Sequence, residues 1–345
     1  MIGCGGLLFS VLLFLGLFVP VSMTSEPSDN ARPENPVELT EIGKLAQTGW
    51  RIQLDIAAHM GGVYAVAWSP DGTQIVAGGN DGGLRIWETI SGAERRSMRA
   101  HEGPVWSVDW SPDGGRIVSA GEDGMVRVWD ARSGALLNTF DTQTDFVSSV
   151  AWSHDGMRIA AALSDGIVRV WWASDDWHAV DLRGHESTVN DVAWSYTSGY
   201  VVSAGGSGYP DNTVRVWNNG PWVQSHVFWG HQGEVWTVAM SPDGVRIASG
   251  GTDRTVRIWN LQTGDALNVF EGHTGVVTAV DWSPTGQYVV SASADGSLRT
   301  WDMATASAAD VIADAHSGWI GTVRWSVDGR LANGGVDDRV VIWGQ

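Results

Sequence analysis

The stretch His101 to Trp129, HEGPVWSVDWSPDGGRIVSAGEDGMVRVW, decides the architecture. Val105, Val108 and Trp110 run into the turn signal SPDG, Ile117 and Val118 run into GEDG, and Val126, Val128 and Trp129 close the unit. Short apolar runs stopped by Gly, Pro, Asp or Ser read as antiparallel strands joined by tight turns. Leu136, Leu137 and Phe140 supply a fourth strand. Outward from this unit, the counterparts of His101 are His59, Gln143, His185, His231, His273 and His316, at steps of 42, 42, 42, 46, 42 and 43 residues. Each copy closes on a tryptophan (Trp87, Trp129, Trp171, Trp217, Trp259, Trp301, Trp343), and six residues before each stands an aspartate (Asp81, Asp123, Asp165, Asp211, Asp253, Asp295, Asp337). Seven four-stranded copies predict an all-β, seven-bladed propeller, because one such sheet cannot bury both faces alone and stacks on its neighbours.

The ends of the array complete each other. Trp50 to Ile56, WRIQLDI, alternates like a strand yet precedes the first copy, while the last copy stops at Gln345 just after its third strand. The expectation is that this N-terminal strand completes the last blade and removes the exposed edges of an open ring. The propeller therefore occupies residues 50–345. Residues 24–49 carry three prolines and few large apolar side chains, as a flexible linker does. Residues 1–23 are almost wholly apolar and read as a signal peptide or N-terminal membrane anchor. A Met1-Ile2-Gly3-Cys4 start is no lipoprotein box, since the apolar run follows the cysteine. The protein is thus expected outside the cytoplasm, secreted or periplasmic, or tethered through this segment.

Composition narrows the partners. The net charge is −18, with Lys44 the single lysine among 21 basic residues. That balance excludes nucleic acid as the main ligand, since phosphate binding needs a basic surface, and favours protein or peptide partners that are basic or apolar. Cys4 is the one cysteine, so the repeats can hold neither a disulfide nor a thiolate metal site. Neither a phosphate-binding Gly-rich loop nor a GxSxG elbow appears, and no cofactor is expected.

With GH at Gly184-His185, Gly230-His231 and Gly272-His273, and WD at Trp129-Asp130 and Trp301-Asp302, the chain resembles the WD-repeat (WD40) family over residues 50 to 345. Glu88, Trp172, Asn218, Asn260 and Gly344 replace the WD aspartate elsewhere, while the His, Asp and Trp spacing is kept. The resemblance implies a hydrogen-bonded chain of four side chains in each blade. All four match as His101, Ser119, Asp123 and Trp129; His185, Ser203, Asp211 and Trp217; His231, Ser249, Asp253 and Trp259; and His273, Ser291, Asp295 and Trp301. Ala77, Gln143, Ala161 and Asn333 interrupt the set in the other blades. Ser, His and Asp together invite a hydrolase reading. An enzyme needs one such set in an open pocket, whereas this chain repeats it inside its blades, so the set is read as structural and the protein as no enzyme.

Recognition is then left to side chains that do not repeat. His and Asp of one blade must meet, so the loops carrying them share one face of the ring, which in the family is the usual docking surface. Residues three and five beyond the His position belong there, and the candidate partner-binding set is Tyr64, Trp106, Phe146, Asn190, Glu234, Trp236 and Trp319. Aromatic anchors beside Glu102, Glu122 and Glu234 suit a peptide with apolar and basic side chains. A second aromatic group, Trp172, Trp177 and Trp222, is expected on the opposite face, with Trp229 at the outer rim. The function expected is a monomeric, non-enzymatic interaction scaffold. The alternative is a propeller enzyme, small-ligand binder or sensor using the central channel.

Overall fold

A computed structural model describes residues 49–173, 177–206 and 211–345. The expectations for residues 1–23, for the linker up to residue 48, and for the extra residues Ser207 to Pro210 of the fourth copy lie outside the described residues. Among the described residues every regular element is a strand, and the strands form seven four-stranded antiparallel sheets. Blade 2 shows the plan: Val105–Trp110, Arg116–Gly121, Met125–Asp130 and Leu136–Asp141 pair in sequence order.

The turns form for local reasons. In SPDG the Ser111 hydroxyl donates to Asp113, the Gly115 N–H donates to the same carboxylate at 2.9 Å, and Gly114 takes a φ of 71° that glycine adopts freely. Ser69 with Asp71, and Ser241 with Asp243, repeat this lock. Each SPDG turn reverses the chain at the end of a blade's first strand.

The apolar core lies between blades. One cluster joins Val118, Val126 and Val128 of blade 2 to Val147, Val150, Trp152 and Ile159 of blade 3, and equivalent clusters fill the other junctions. Second strands are buried almost throughout, whereas fourth strands such as Glu94–Arg99 face solvent at most positions. The first strands of successive blades pack side by side, and the last meets the first: Trp68 Nε1 donates to the Arg324 carbonyl at 3.2 Å and Arg330 Nη2 to the Gly72 carbonyl at 2.7 Å.

Blade 7 takes its fourth strand from the start of the described chain. Arg51–Ala57 pairs antiparallel with Arg339–Gly344, from Arg51 opposite Gly344 to Ala57 opposite Arg339, and Asp55 forms an ion pair with Arg339. Trp50, 1% exposed, packs with residues of blades 6 and 7, meets Trp325 edge-on at 5.5 Å and donates to Asp310. The strand thus joins the first and last parts of the propeller sequence in one sheet.

Candidate functional site

The repeated polar residues come first, because their geometry decides whether they are free for chemistry. In blade 2, Trp129 Nε1 donates to Ser119 Oγ at 2.9 Å, Ser119 Oγ lies 2.8 Å from His101 Nε2, and His101 Nδ1 lies 2.8 Å from Asp123 Oδ1. Indole can only donate and an ionised carboxylate can only accept. The direction is therefore set: Trp to Ser, Ser to His Nε2, and His Nδ1–H to Asp. Blades 4, 5 and 6 repeat it through Ser203, Ser249 and Ser291, with every step between 2.7 and 3.0 Å. Ser119, Ser203, Ser249 and Ser291 are fully buried. A serine whose oxygen already accepts from an indole in a closed core cannot reach a substrate, so these sets act as internal struts.

Electrostatics agree with that role. Burial is the largest influence on His101, His185 and His273 and holds each below the ordinary histidine range, against the pull of its aspartate. Burial would raise Asp211, but hydrogen bonds from His185 and Thr213 outweigh it and leave the carboxyl at about 2. Arg127 pairs with Asp123 at 2.7 Å and Arg85 with Asp81 at 2.8 Å, two of the arginines that stand two residues before the closing tryptophan. Where the sequence departs, so does the network. In blade 1, His59 Nε2 faces the Ala77 carbonyl at 3.1 Å. In blade 3, with Gln143 in the histidine position, Arg169 turns to Asp181 at 2.6 Å. In blade 7, Trp343 donates to Asn333 Oδ1 at 2.8 Å, leaving His316 Nε2 and Asn333 Nδ2 buried without partners.

The candidate face is built by a different device. Every first strand carries a bulge at the residue five beyond the histidine position: Val105 opposes Gly121 and Ser107 opposes Ala120, so Trp106 is skipped by the ladder. The same shift skips Tyr64, Ser148, Asn190, Trp236, Thr278 and Gly321. A bulge re-aims its extra residue, and here it does so seven times around one axis. Where that residue is small and polar, it clamps the next blade. Ser148 donates to the Val189 carbonyl, Asn190 Nδ2 to the Val235 carbonyl at 2.9 Å, and Thr278 to the Ile320 carbonyl. Asn190 is thus an inter-blade clamp as well as a face residue.

Tyr64, Trp106 and Trp236 carry rings at this position instead. Tyr64 and Trp106 lie 4.9 Å apart, and Trp236 meets Trp319 edge-on at 6.2 Å. Trp106 Nε1 donates to Glu122 at 2.8 Å and Trp236 Nε1 to Glu234 at 3.2 Å, so each indole is oriented by a carboxylate that also charges the face. Tyr64 is held above the usual phenol range by burial and then by the Asp338 charge, and stays protonated. Phe146 sits half-buried on the same loop as Gln143, its N–H donating to Ser164 Oγ at 3.4 Å. Glu102 is exposed.

The second aromatic group divides. Trp177 packs against Phe140, with ring centroids 5.1 Å apart, at a core junction. Trp172 stacks on His178 at 4.2 Å and meets Trp222 edge-on at 5.4 Å. Trp229 is 65% exposed.

Sequence reasoning missed the charged lining of the axis. Asp109 and Asp281 accept from the next blade's Trp152 and Trp325 backbone N–H at 2.8 and 2.7 Å, and Asp191 accepts from Val238 N–H at 2.9 Å. First strands have no ladder partner on their inner edge, so side chains from the preceding blade satisfy these amides. The three carboxyls remain partly accessible along the axis yet are densely surrounded, and burial raises all three, Asp109 to about 6. Arg324 opposes that rise in each case. The available signal was an aspartate eight beyond the histidine position in Asp109 and Asp281, where Ala67, Ala151, Ala193 and Ala239 stand in other blades, and one six beyond it in Asp191. Among the described residues no three His, Cys, Asp or Glu side chains converge as metal ligands do.

Buried struts, a closed ring of blades and one face of re-aimed side chains define a repeat propeller whose recurring polar residues are architectural. The WD40 family profile ("WD domain, G-beta repeat") matches residues 50–88, 92–130, 134–171, 178–218, 222–260 and 264–302, and the chain belongs to that family. Propellers of this family are typical protein-interaction scaffolds and generally not enzymes. Each match begins at or near a blade's fourth strand and ends in the third strand of the next, so the sequence repeat is offset from the structural blade. The fourth strand of blade 6 and the first three strands of blade 7 lie beyond the matched residues, yet both sheets are formed. A stretch of 56 residues is 43% identical to the periodic tryptophan protein 2 homolog of Dictyostelium discoideum, and 54 residues are 39% identical to that of Mus musculus. Each match covers 15% of this chain and only 6% of the relative.

Proposed function

We propose that this propeller is a non-enzymatic scaffold that captures a protein or peptide segment on the face bearing Tyr64, Trp106, Trp236 and Trp319. The observation that carries the reading is the exchange at the seven bulges. The fold is served there by Ser148, Asn190 and Thr278 as clamps, and three blades give up that clamp for an aromatic ring. Rings oriented by Glu122 and Glu234 on a chain of net charge −18 favour a segment with apolar and basic side chains.

A peptide array probed with the purified propeller tests this. Enrichment of peptides combining large apolar residues with Arg or Lys is expected, and Trp106→Ala with Trp236→Ala should weaken capture by about 30-fold or more at unchanged melting temperature. Capture that survives both substitutions would refute the site. The apolar residues 2–23 further support export or tethering of the propeller outside the cytoplasm. Fractionation with mass spectrometry of the mature N-terminus tests that part, and a soluble cytoplasmic chain beginning at Met1 would overturn it.

A further inference from the structure

A recurrent device on the opposite face, at the turns between first and second strands, is left unfinished at one junction. Four blades carry an arginine where the second strand begins, Arg116, Arg158 and Arg246 as its first residue and Arg330 one residue before it. Three of these guanidinium groups lie over the tryptophan that ends the next blade's first strand: Arg158 over Trp194 at 5.2 Å, Arg246 over Trp282 at 4.7 Å, and Arg330 over Trp68 at 4.8 Å. Each is also anchored by the aspartate of its own turn, Asp155, Asp243 or Asp328. Arg246 and Arg330 reach on to the turn-glycine carbonyls of the next blade, Gly286 at 3.1 Å and Gly72 at 2.7 Å. The slot is thus an indole face, a carboxylate and a carbonyl, which together satisfy a planar cation by stacking, charge and hydrogen bonding.

At the junction of blades 2 and 3 the walls are present and Arg116 lines the space between them, but no guanidinium lies over the indole among the described residues. Trp152 provides the indole, Asp113 the carboxylate and Gly156 the counterpart of Gly72 and Gly286, and they line a cavity of about 320 Å³. Asp113 Oδ1 is held by its own turn, as Asp243 Oδ1 is, while its other oxygen takes no partner among the described residues. Arg116 is exposed, whereas Arg158, Arg246 and Arg330 are half-buried; its guanidinium acts on Asp113 through its charge but makes no hydrogen bond or close ion pair among the described residues. Trp68, Trp194 and Trp282, the three covered indoles, each donate Nε1 to a carbonyl of the preceding blade. Trp152, 4% exposed, has its Nε1 unpartnered.

We infer that the cavity between blades 2 and 3 is a binding site for the guanidinium of an arginine side chain on a protein partner, seated as the chain's own arginines are seated at three sister junctions. Its place on the opposite face makes it independent of the aromatic docking surface. The cavity selects arginine over lysine, because a compact ammonium can meet the carboxylate but cannot stack over the indole while reaching the carbonyl.

The probe is a short fluorescent peptide with one arginine, against versions with lysine or citrulline in its place, titrated onto the full chain by anisotropy. The arginine peptide should bind about tenfold more tightly than either, and Asp113→Asn should reduce its affinity about tenfold. Arg116→Ala removes a competing cation and should strengthen binding several-fold. Arg246→Ala empties the sister slot of blades 5 and 6 and should raise the number of sites from one to two. Equal affinity for the arginine and lysine peptides would overturn the inference. So would binding seen in Arg116→Ala but absent in the parent, since Arg116 would then be the slot's own occupant.

Discussion

The strut in blade 2 offers a test with a worked magnitude. Ser119→Ala removes one oxygen that accepts from Trp129 Nε1 at 2.9 Å and bonds His101 Nε2 at 2.8 Å. Ser119 is 0% exposed, His101 3% and Trp129 5%, so water cannot replace the hydroxyl. Two buried polar atoms lose their partners, each at a cost of about 1–3 kcal/mol, and partial relaxation brings the expected loss to about 2–4 kcal/mol. In a domain of this size that lowers the melting midpoint by about 4–8 °C. Urea unfolding followed by far-ultraviolet circular dichroism measures it, with an unchanged slope showing that only stability moved. The chain also supplies the opposite experiment. Asn333 leaves His316 Nε2 and its own Nδ2 unpaired, so Asn333→Ser should complete the four-member chain in blade 7 and stabilise by about 1 kcal/mol. A Ser119→Ala protein within about 0.5 kcal/mol of the parent, a change typical of surface positions, would refute the strut reading.

Arg324→Met tests the axis. Asp109, Asp191 and Asp281 lie above the ordinary carboxyl value of 3.8 when folded, Asp109 at about 6, so the folded chain holds their protons more tightly than the unfolded chain. Their contribution is complete below 3.8 and is lost as pH rises through the folded value. Without Arg324 that value climbs further, and the substitution should destabilise by about 1–3 kcal/mol more at pH 8 than at pH 5; an equal loss at both pH values would contradict it. Removal of residues 50 to 56 should sharply lower the melting temperature, and Trp50→Ala alone should cost about 3–5 kcal/mol through the cavity it leaves; unaltered melts would show that blade 7 is stable without them. Gly250→Ala places a Cβ 2.4 Å from Val277 Cγ1 of the next blade and should destabilise by about 1–3 kcal/mol, read by the same urea series.

Most of the fold was legible because a propeller repeats its local physics. SPDG stops a strand wherever it stands, since Ser111 and Asp113 bond within the turn itself. The strut residues were legible for the same reason: His101, Ser119, Asp123 and Trp129 recur at fixed spacing, and repetition marks what every blade needs. The candidate face was only half legible. Tyr64, Trp106 and Trp236 stood out as exceptions to the repeat, but Asn190 looks in sequence like another exception and in space is a clamp on the Val235 carbonyl.

The sequence alone determined the number of blades, the turn chemistry and the polar residues each blade would bury, because these depend on neighbours within some forty residues. The tertiary structure decided which side chains cross from one blade to the next. Asp109, Asp191 and Asp281 reach amides of the following blade, and Arg158, Arg246 and Arg330 lie over its tryptophans while Arg116 does not. Alternation along a strand says which way a side chain points. What it meets there is set by the twist and packing of a separate sheet, which no single repeat encodes.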